Sequence, residues 1–87
     1  MRPRVDWMNQ TDDRILELLD ESGLELSPVV ISRNIDYSRS WVSQRLTGLV
    51  DASLVSVADG SYYSITEKGR DYLAGDLDAN DLRLDDE

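Results

Sequence analysis

The chain has 87 residues, 40% of them hydrophobic, which is enough for one small core and too little for a deep catalytic cleft. It has no cysteine and no histidine, so disulfides, thiol nucleophiles, imidazole bases and the usual zinc sites are excluded. The formal net charge is −9, from 18 acidic and 9 basic residues; Asp outnumbers Glu and Lys68 is the lone lysine.

Such a balance suits a protein that holds water in molar salt. It also opposes nucleic acid, because phosphates repel an acidic surface. Two features weaken that objection. The charge is uneven: the segment 76–87 is strongly acidic, whereas 33–50 carries Arg33, Arg39 and Arg45 against Asp36 alone. In addition, the Debye length is only ~3 Å at 1 M salt, so long-range repulsion is nearly silenced there. No run of residues is apolar enough for a membrane span, and the N-terminus lacks the apolar stretch of a secretory signal, so a cytoplasmic protein is expected.

Residues 1–10 read as an N-terminal arm, with Val5, Trp7 and Met8 apolar enough to dock. Thr11 looks like an N-cap, and Ile15, Leu16, Leu18 and Leu19 follow at helical spacing up to Gly23, predicting a helix over 12–22. Leu24 to Leu26 alternates and predicts a minor strand. Ser27 and Pro28 form a start signal for a second helix over 28–34, with Val30, Ile31 and Ile35 inward. Asp36 and Tyr37 turn the chain, and Ser38 caps a third helix over 39–52. Leu54 to Val57 reads as a strand. Asp59-Gly60 is a strong hairpin signal, and Tyr62 to Ile65 is the return strand. Thr66 caps a last helix over 67–74, where Tyr72 and Leu73 face inward and Gly69 implies close packing. After Gly75 the chain becomes an acidic tail, 76–87, expected to fray. The domain proper is therefore 11–75.

The order is mainly helical (α+β): a three-helix core, a small antiparallel hairpin and a C-terminal helix. The second and third helices with their short turn fit a helix-turn-helix, and the hairpin stands where a wing would.

On a wheel of ~100° per residue, Val42, Leu46 and Leu49 of the third helix share the core side. Ser40, Gln44 and Thr47 fall opposite, flanked by Trp41 and Ser43. From Arg39 to Val50 there is no carboxylate, in a chain otherwise crowded with them. That face suits a DNA major groove. Gln44 can pair with adenine, and Ser40, Ser43 and Thr47 can donate, accept or pack on a thymine methyl. Arg39, Arg33 and the Ser38-capped helix start suit phosphate oxygens; Arg45 suits phosphate or guanine. Trp41 either packs on sugar and base edges or shields the turn against Tyr37. The wing tip carries Asp59 and no base, so the hairpin either only covers the core or brings Tyr62 or Tyr63 to the DNA backbone.

The run from Ser38 to Val50, followed by Ala52 to Val55, resembles the recognition helix and strand of winged-helix repressors. Ile65 to Leu73 is similar to the helix after their wing. Met1 to Met8 and Leu26 to Pro28 are similar to small haloarchaeal phage-repressor-like winged-helix proteins. The resemblance implies a transcription regulator, a repressor by type, binding double-stranded DNA through Arg39, Ser40, Ser43, Gln44 and Thr47. It departs at Ser53, where such proteins usually carry glycine.

Other chemistries fit less well. The tail matches a calcium loop at some positions, but Asp81 stands where the sharp turn needs glycine. The acids show no paired arrangement in a pocket and the hydroxyls have no histidine partner, so no enzyme is expected. Neither a cofactor nor a small-molecule ligand is indicated. Two partners remain open beside DNA: a second copy of the chain, contacted through the arm or the last helix and tail, and a protein docked on the winged helix in place of DNA.

Overall fold

The computed structural model describes residues 8–75. The expectations for the apolar arm residues 1–7 and the acidic tail 76–87 lie outside the described residues. The elements are α1 (Gln10–Ser22), α2 (Pro28–Ile35), α3 (Arg39–Asp51), β1 (Val55–Ala58), β2 (Tyr62–Ile65) and α4 (Glu67–Ala74). The winged-helix order expected from the sequence is the order observed.

Helix α1 begins two residues earlier than its periodicity suggests. Its N-cap is Asn9, not Thr11: the Asn9 Oδ1 accepts from the amides of Thr11 and Asp12 at 3.0 and 3.3 Å. Asp12 Oδ2 accepts in return from the Asn9 amide at 2.9 Å, closing a reciprocal capping box. Asn9 and Gln10 thus belong to the helix start rather than to an arm. Thr11 is buried inside the first turn. Gly23 ends α1 at φ 64°, with its N–H on the Leu19 carbonyl.

In α2, Ser27 caps and Pro28 occupies the first turn as expected. Val30, however, faces solvent at 41% exposure. Three consecutive β-branched residues lie ~100° apart on a helix, so only Ile31 of Val29, Val30 and Ile31 centres on the core. Asp36 closes α2 in the left-handed region at φ 62°.

The core is built where the three helices meet the hairpin. Ile15, Leu16 and Leu19 of α1, Ile31 and Ile35 of α2, and Val42, Leu46 and Leu49 of α3 pack with Leu54, Val55, Ile65 and Tyr72. Each such aliphatic side chain contributes about 1.5–3 kcal/mol on burial.

Helix α3 ends at Asp51, and the departure at Ser53 explains how. The Ser53 amide bonds the Val50 carbonyl at 2.9 Å and the Leu54 amide bonds the Leu49 carbonyl at 3.0 Å. These are the two bonds of a Schellman motif, with Ser53 in the left-handed position at φ 65° that favours glycine. Ser53→Gly is therefore expected to stabilise the domain. Left-handed strain is relieved, while the looser unfolded chain offsets part of the gain, leaving about 0.5–1 kcal/mol. Thermal unfolding in molar potassium chloride checks this: the midpoint should rise by a few degrees.

The hairpin pairs β1 with β2 antiparallel, Val55 opposite Ile65 and Ala58 opposite Tyr62. Asp59 and Gly60 both take positive φ, 54° and 73°, as a type I′ turn requires. Leu54 lies just before β1. The strand expected over Leu24–Leu26 contracts to one bridge, in which Leu26 and Tyr63 exchange both backbone bonds at 2.8 and 2.9 Å. This sets Tyr63 toward the core and leaves Tyr62 exposed. Thr66 caps α4 by accepting from the Gly69 amide, and its hydroxyl donates to the Ser53 carbonyl at 2.7 Å. The Tyr72 hydroxyl then ties α4 to α1 by donating to Asp13 at 2.6 Å.

Candidate nucleic-acid interface

The short turn between Asp36 and Ser38 sets α3 after α2, and the core grips α3 on one side. Val42, Leu46 and Leu49 are fully buried. The opposite side is open: Arg39, Ser40, Gln44 and Thr47 are exposed and Ser43 is half-buried. Ser38 Oγ caps the helix by accepting from the Trp41 amide at 3.2 Å. Thr47 Oγ1 donates to the Ser43 carbonyl at 3.1 Å, so its proton is occupied while its acceptor capacity and methyl remain. Arg33 is exposed on α2, one turn before the helix-helix turn. The open face is acid-free only along Arg39–Val50. Asp51 is exposed and, at ~100° per residue, falls on the same side as Ser40 and Gln44. The usable stripe is thus the N-terminal three turns of α3.

Two of the expected contact residues are engaged with α1. Arg45 grips Asp12 of α1 with a two-pronged bond, Nε to Oδ1 at 2.8 Å and Nη2 to Oδ2 at 2.6 Å. The Asp12 side chain has no exposed surface and that of Arg45 keeps 20%. A carboxylate held that far from water requires a partner cation, which is why the guanidinium lies against α1. The bonds to Asp12 push the Arg45 pKa further up, outweighing the burial that pulls it down. Trp41 is half-buried and bonded to α1. Its indole Nε1 donates to the buried Thr11 Oγ1 at 3.0 Å, and its ring lies 5.5 Å from the Arg45 guanidinium carbon. Asp12, Asp13 and Thr11 are thus site-building residues that the sequence reading missed. The signal was the spacing Asn9-x-x-Asp12, which marks a capping box and places Asp12 inward.

Two acids of α1 are satisfied internally, Asp12 by Arg45 and Asp13 by Tyr72. Elsewhere the carboxylates crowd the surface. A shallow hollow of about 340 Å³ between α1 and α4 is lined by Glu17, Asp20, Glu21, Arg70, Leu73 and Ala74. Its three carboxylates disfavour a phosphate. Among the described residues no group of acids can hold a metal ion, and no helix is long and apolar enough to cross a membrane.

Residues 1–85 match the family model described as the winged helix-turn-helix phage repressor. The chain belongs to that family. It is 44% identical over 86 residues to the repressor protein of Halobacterium phage phiH, covering 94% of this chain and 97% of that protein. Its fold is similar to the crystal structure of the PhiH1 repressor-like protein from Haloarcula marismortui, with a TM-score of 0.85, 40% identity and 97% of each chain covered. The family is one of repressor-type regulators and not of enzymes. The acidic composition agrees with the haloarchaeal setting of both relatives.

Proposed function

We propose that this protein is a repressor that binds double-stranded DNA by sequence, with the N-terminal three turns of α3 in the major groove. The observation that carries the reading is the exposed, carboxylate-free stripe of Ser40, Gln44 and Thr47 in a protein of net charge −9. Gln44 reads adenine through its amide. Ser40, Ser43 and Thr47 supply adaptable polar contacts and one methyl group. Arg39, Arg33 and the Ser38-capped start of α3 take phosphate oxygens, which fixes the register of the helix on the duplex. Arg45 and Trp41 serve by tying α3 to α1 through Asp12 and Thr11. In molar salt the remaining carboxylates repel only at contact range. A symmetric dimer would set two such helices ~34 Å apart on a palindrome.

The test is selection of bound fragments from a random duplex pool in molar potassium chloride, followed by titration of the selected site. Gln44→Ala is expected to cost about 1–3 kcal/mol and to relax preference at one base pair. Arg39→Ala is expected to weaken all duplexes alike and to reduce the salt slope by about 0.9. The wild-type slope itself should be shallow, since few cations face the DNA. No enrichment in the selection, together with capture of a protein partner, would replace this reading with that of an interaction module. Sedimentation showing only monomers on the selected site would remove the dimer.

A further inference from the structure

We infer that Thr11, Asp12, Trp41 and Arg45 form a positioning clamp that sets the rotation of α3, and with it which side chains meet the DNA bases. The inference rests on the DNA-binding reading above.

The core sets which side of α3 faces inward. Val42, Leu46 and Leu49 are buried by apolar contact, which is non-directional. The clamp is directional. Trp41 and Arg45 are one turn apart on the flank of α3 that meets α1, so two bonds act at two heights along the helix. The Arg45 fork fixes a plane through both oxygens of Asp12. The Trp41 N–H fixes a second point on Thr11, 3.0 Å away. Asp12 cannot drift in its turn, because its Oδ2 also holds the Asn9 amide. The capping box of α1 and the pose of α3 therefore share one buried carboxylate. Ser40, Gln44 and Thr47 face outward from the same helix that this carboxylate holds. Bidentate pairing of a glutamine with a base tolerates little misplacement, so a clamp of this kind affects specificity more than gross affinity.

The experiment compares Thr11→Val, Thr11→Ser, Trp41→Phe and Asp12→Asn with the wild type. Each is titrated with the selected duplex and with a scrambled one in molar potassium chloride, well below its melting temperature. Thr66→Ala serves as a control: it removes the α4 cap and the bond to the Ser53 carbonyl beyond the end of α3, and leaves Thr11, Asp12, Trp41 and Arg45 intact. Thr11→Val and Trp41→Phe each delete one hydrogen bond. They are expected to reduce the preference for the selected duplex on the order of tenfold, with the salt slope unchanged because no phosphate contact is lost. Thr11→Ser keeps the hydroxyl and is expected to restore the preference. Undiminished preference in folded Thr11→Val and Trp41→Phe would overturn the inference, and so would an equal loss in Thr66→Ala. Asp12→Asn weakens the fork on Arg45 and is expected to lower the preference likewise; an undiminished preference in the folded variant would also overturn the inference. Should Asp12→Asn not fold, the Thr11 and Trp41 variants decide. Wild-type protein that binds no duplex would sink the DNA-binding reading itself, a result distinct from unaltered variants of a binding protein.

Discussion

Arg45→Ala is expected to destabilise the domain by about 3–5 kcal/mol, the cost of leaving a buried carboxylate unpaired. Total stability for a chain of this length is on the order of 4–13 kcal/mol, so the variant should be largely unfolded on warming or in modest denaturant. The cause is Asp12, which has no exposed surface and depends on Arg45 for its two closest bonds, 2.8 and 2.6 Å. The Asn9 amide supplies one further donor but no charge. Because the pair is buried, molar salt screens it weakly, and the loss should persist at the salt where exposed pairs are silent. Arg70 and Asp20 are the internal comparison. They lie 3.5 Å apart with 57% and 43% of their side chains exposed, and Arg70→Ala is expected to change stability by less than about 0.5 kcal/mol. Denaturant unfolding of both variants in molar potassium chloride checks the contrast. Equal, small effects would mean that water reaches Asp12 in solution.

The same cluster shows where reading from sequence stopped. Elements were legible because their signals are local. Ser27-Pro28, Ser38, Asp59-Gly60 and Thr66 each act on neighbouring backbone, and all four cap or turn the chain where expected. The core stripe of α3 was legible because period alone places Val42, Leu46 and Leu49 together. The open stripe of Ser40, Gln44 and Thr47 follows from the same arithmetic. Arg45 was not legible in this way. Its partner is 33 residues away, and period only says that it lies on a flank, not what the flank meets. Val30 failed for a related reason: a run of apolar residues does not say which of three adjacent β-branched side chains the neighbouring helices cover. Ser53 was a different case, since the missing glycine was visible but its consequence was not. A serine can hold the left-handed position when two amides close onto the end of α3 and the next segment, through Thr66, bonds its carbonyl.

Gly69→Ala is expected to cost about 2–3 kcal/mol even though alanine is the better helix former. A Cβ at Gly69 would stand 2.6 Å from Ile65 Cγ1 and closer still to the Leu54 carbonyl oxygen. The Ile65 side chain is buried and has little room to turn. The Leu54 oxygen is backbone, and it already accepts the Thr66 amide at 3.1 Å. Relief would therefore push α4 off the junction of α3, β1 and β2, stretching the Thr66 bond and loosening Tyr72 from Asp13. The propensity gain of about 1 kcal/mol cannot offset that displacement. Gly23 and Gly60 are unlike it, because a Cβ there meets nothing and only their positive φ resists substitution. At Gly69 the obstacle is space alone, so unfolding curves for Gly69→Ala should shift down and those for Gly69→Ser further down. A gain in stability for Gly69→Ala would mean that α4 stands farther from Leu54 in solution, and that the bond from Tyr72 to Asp13 is not what holds it.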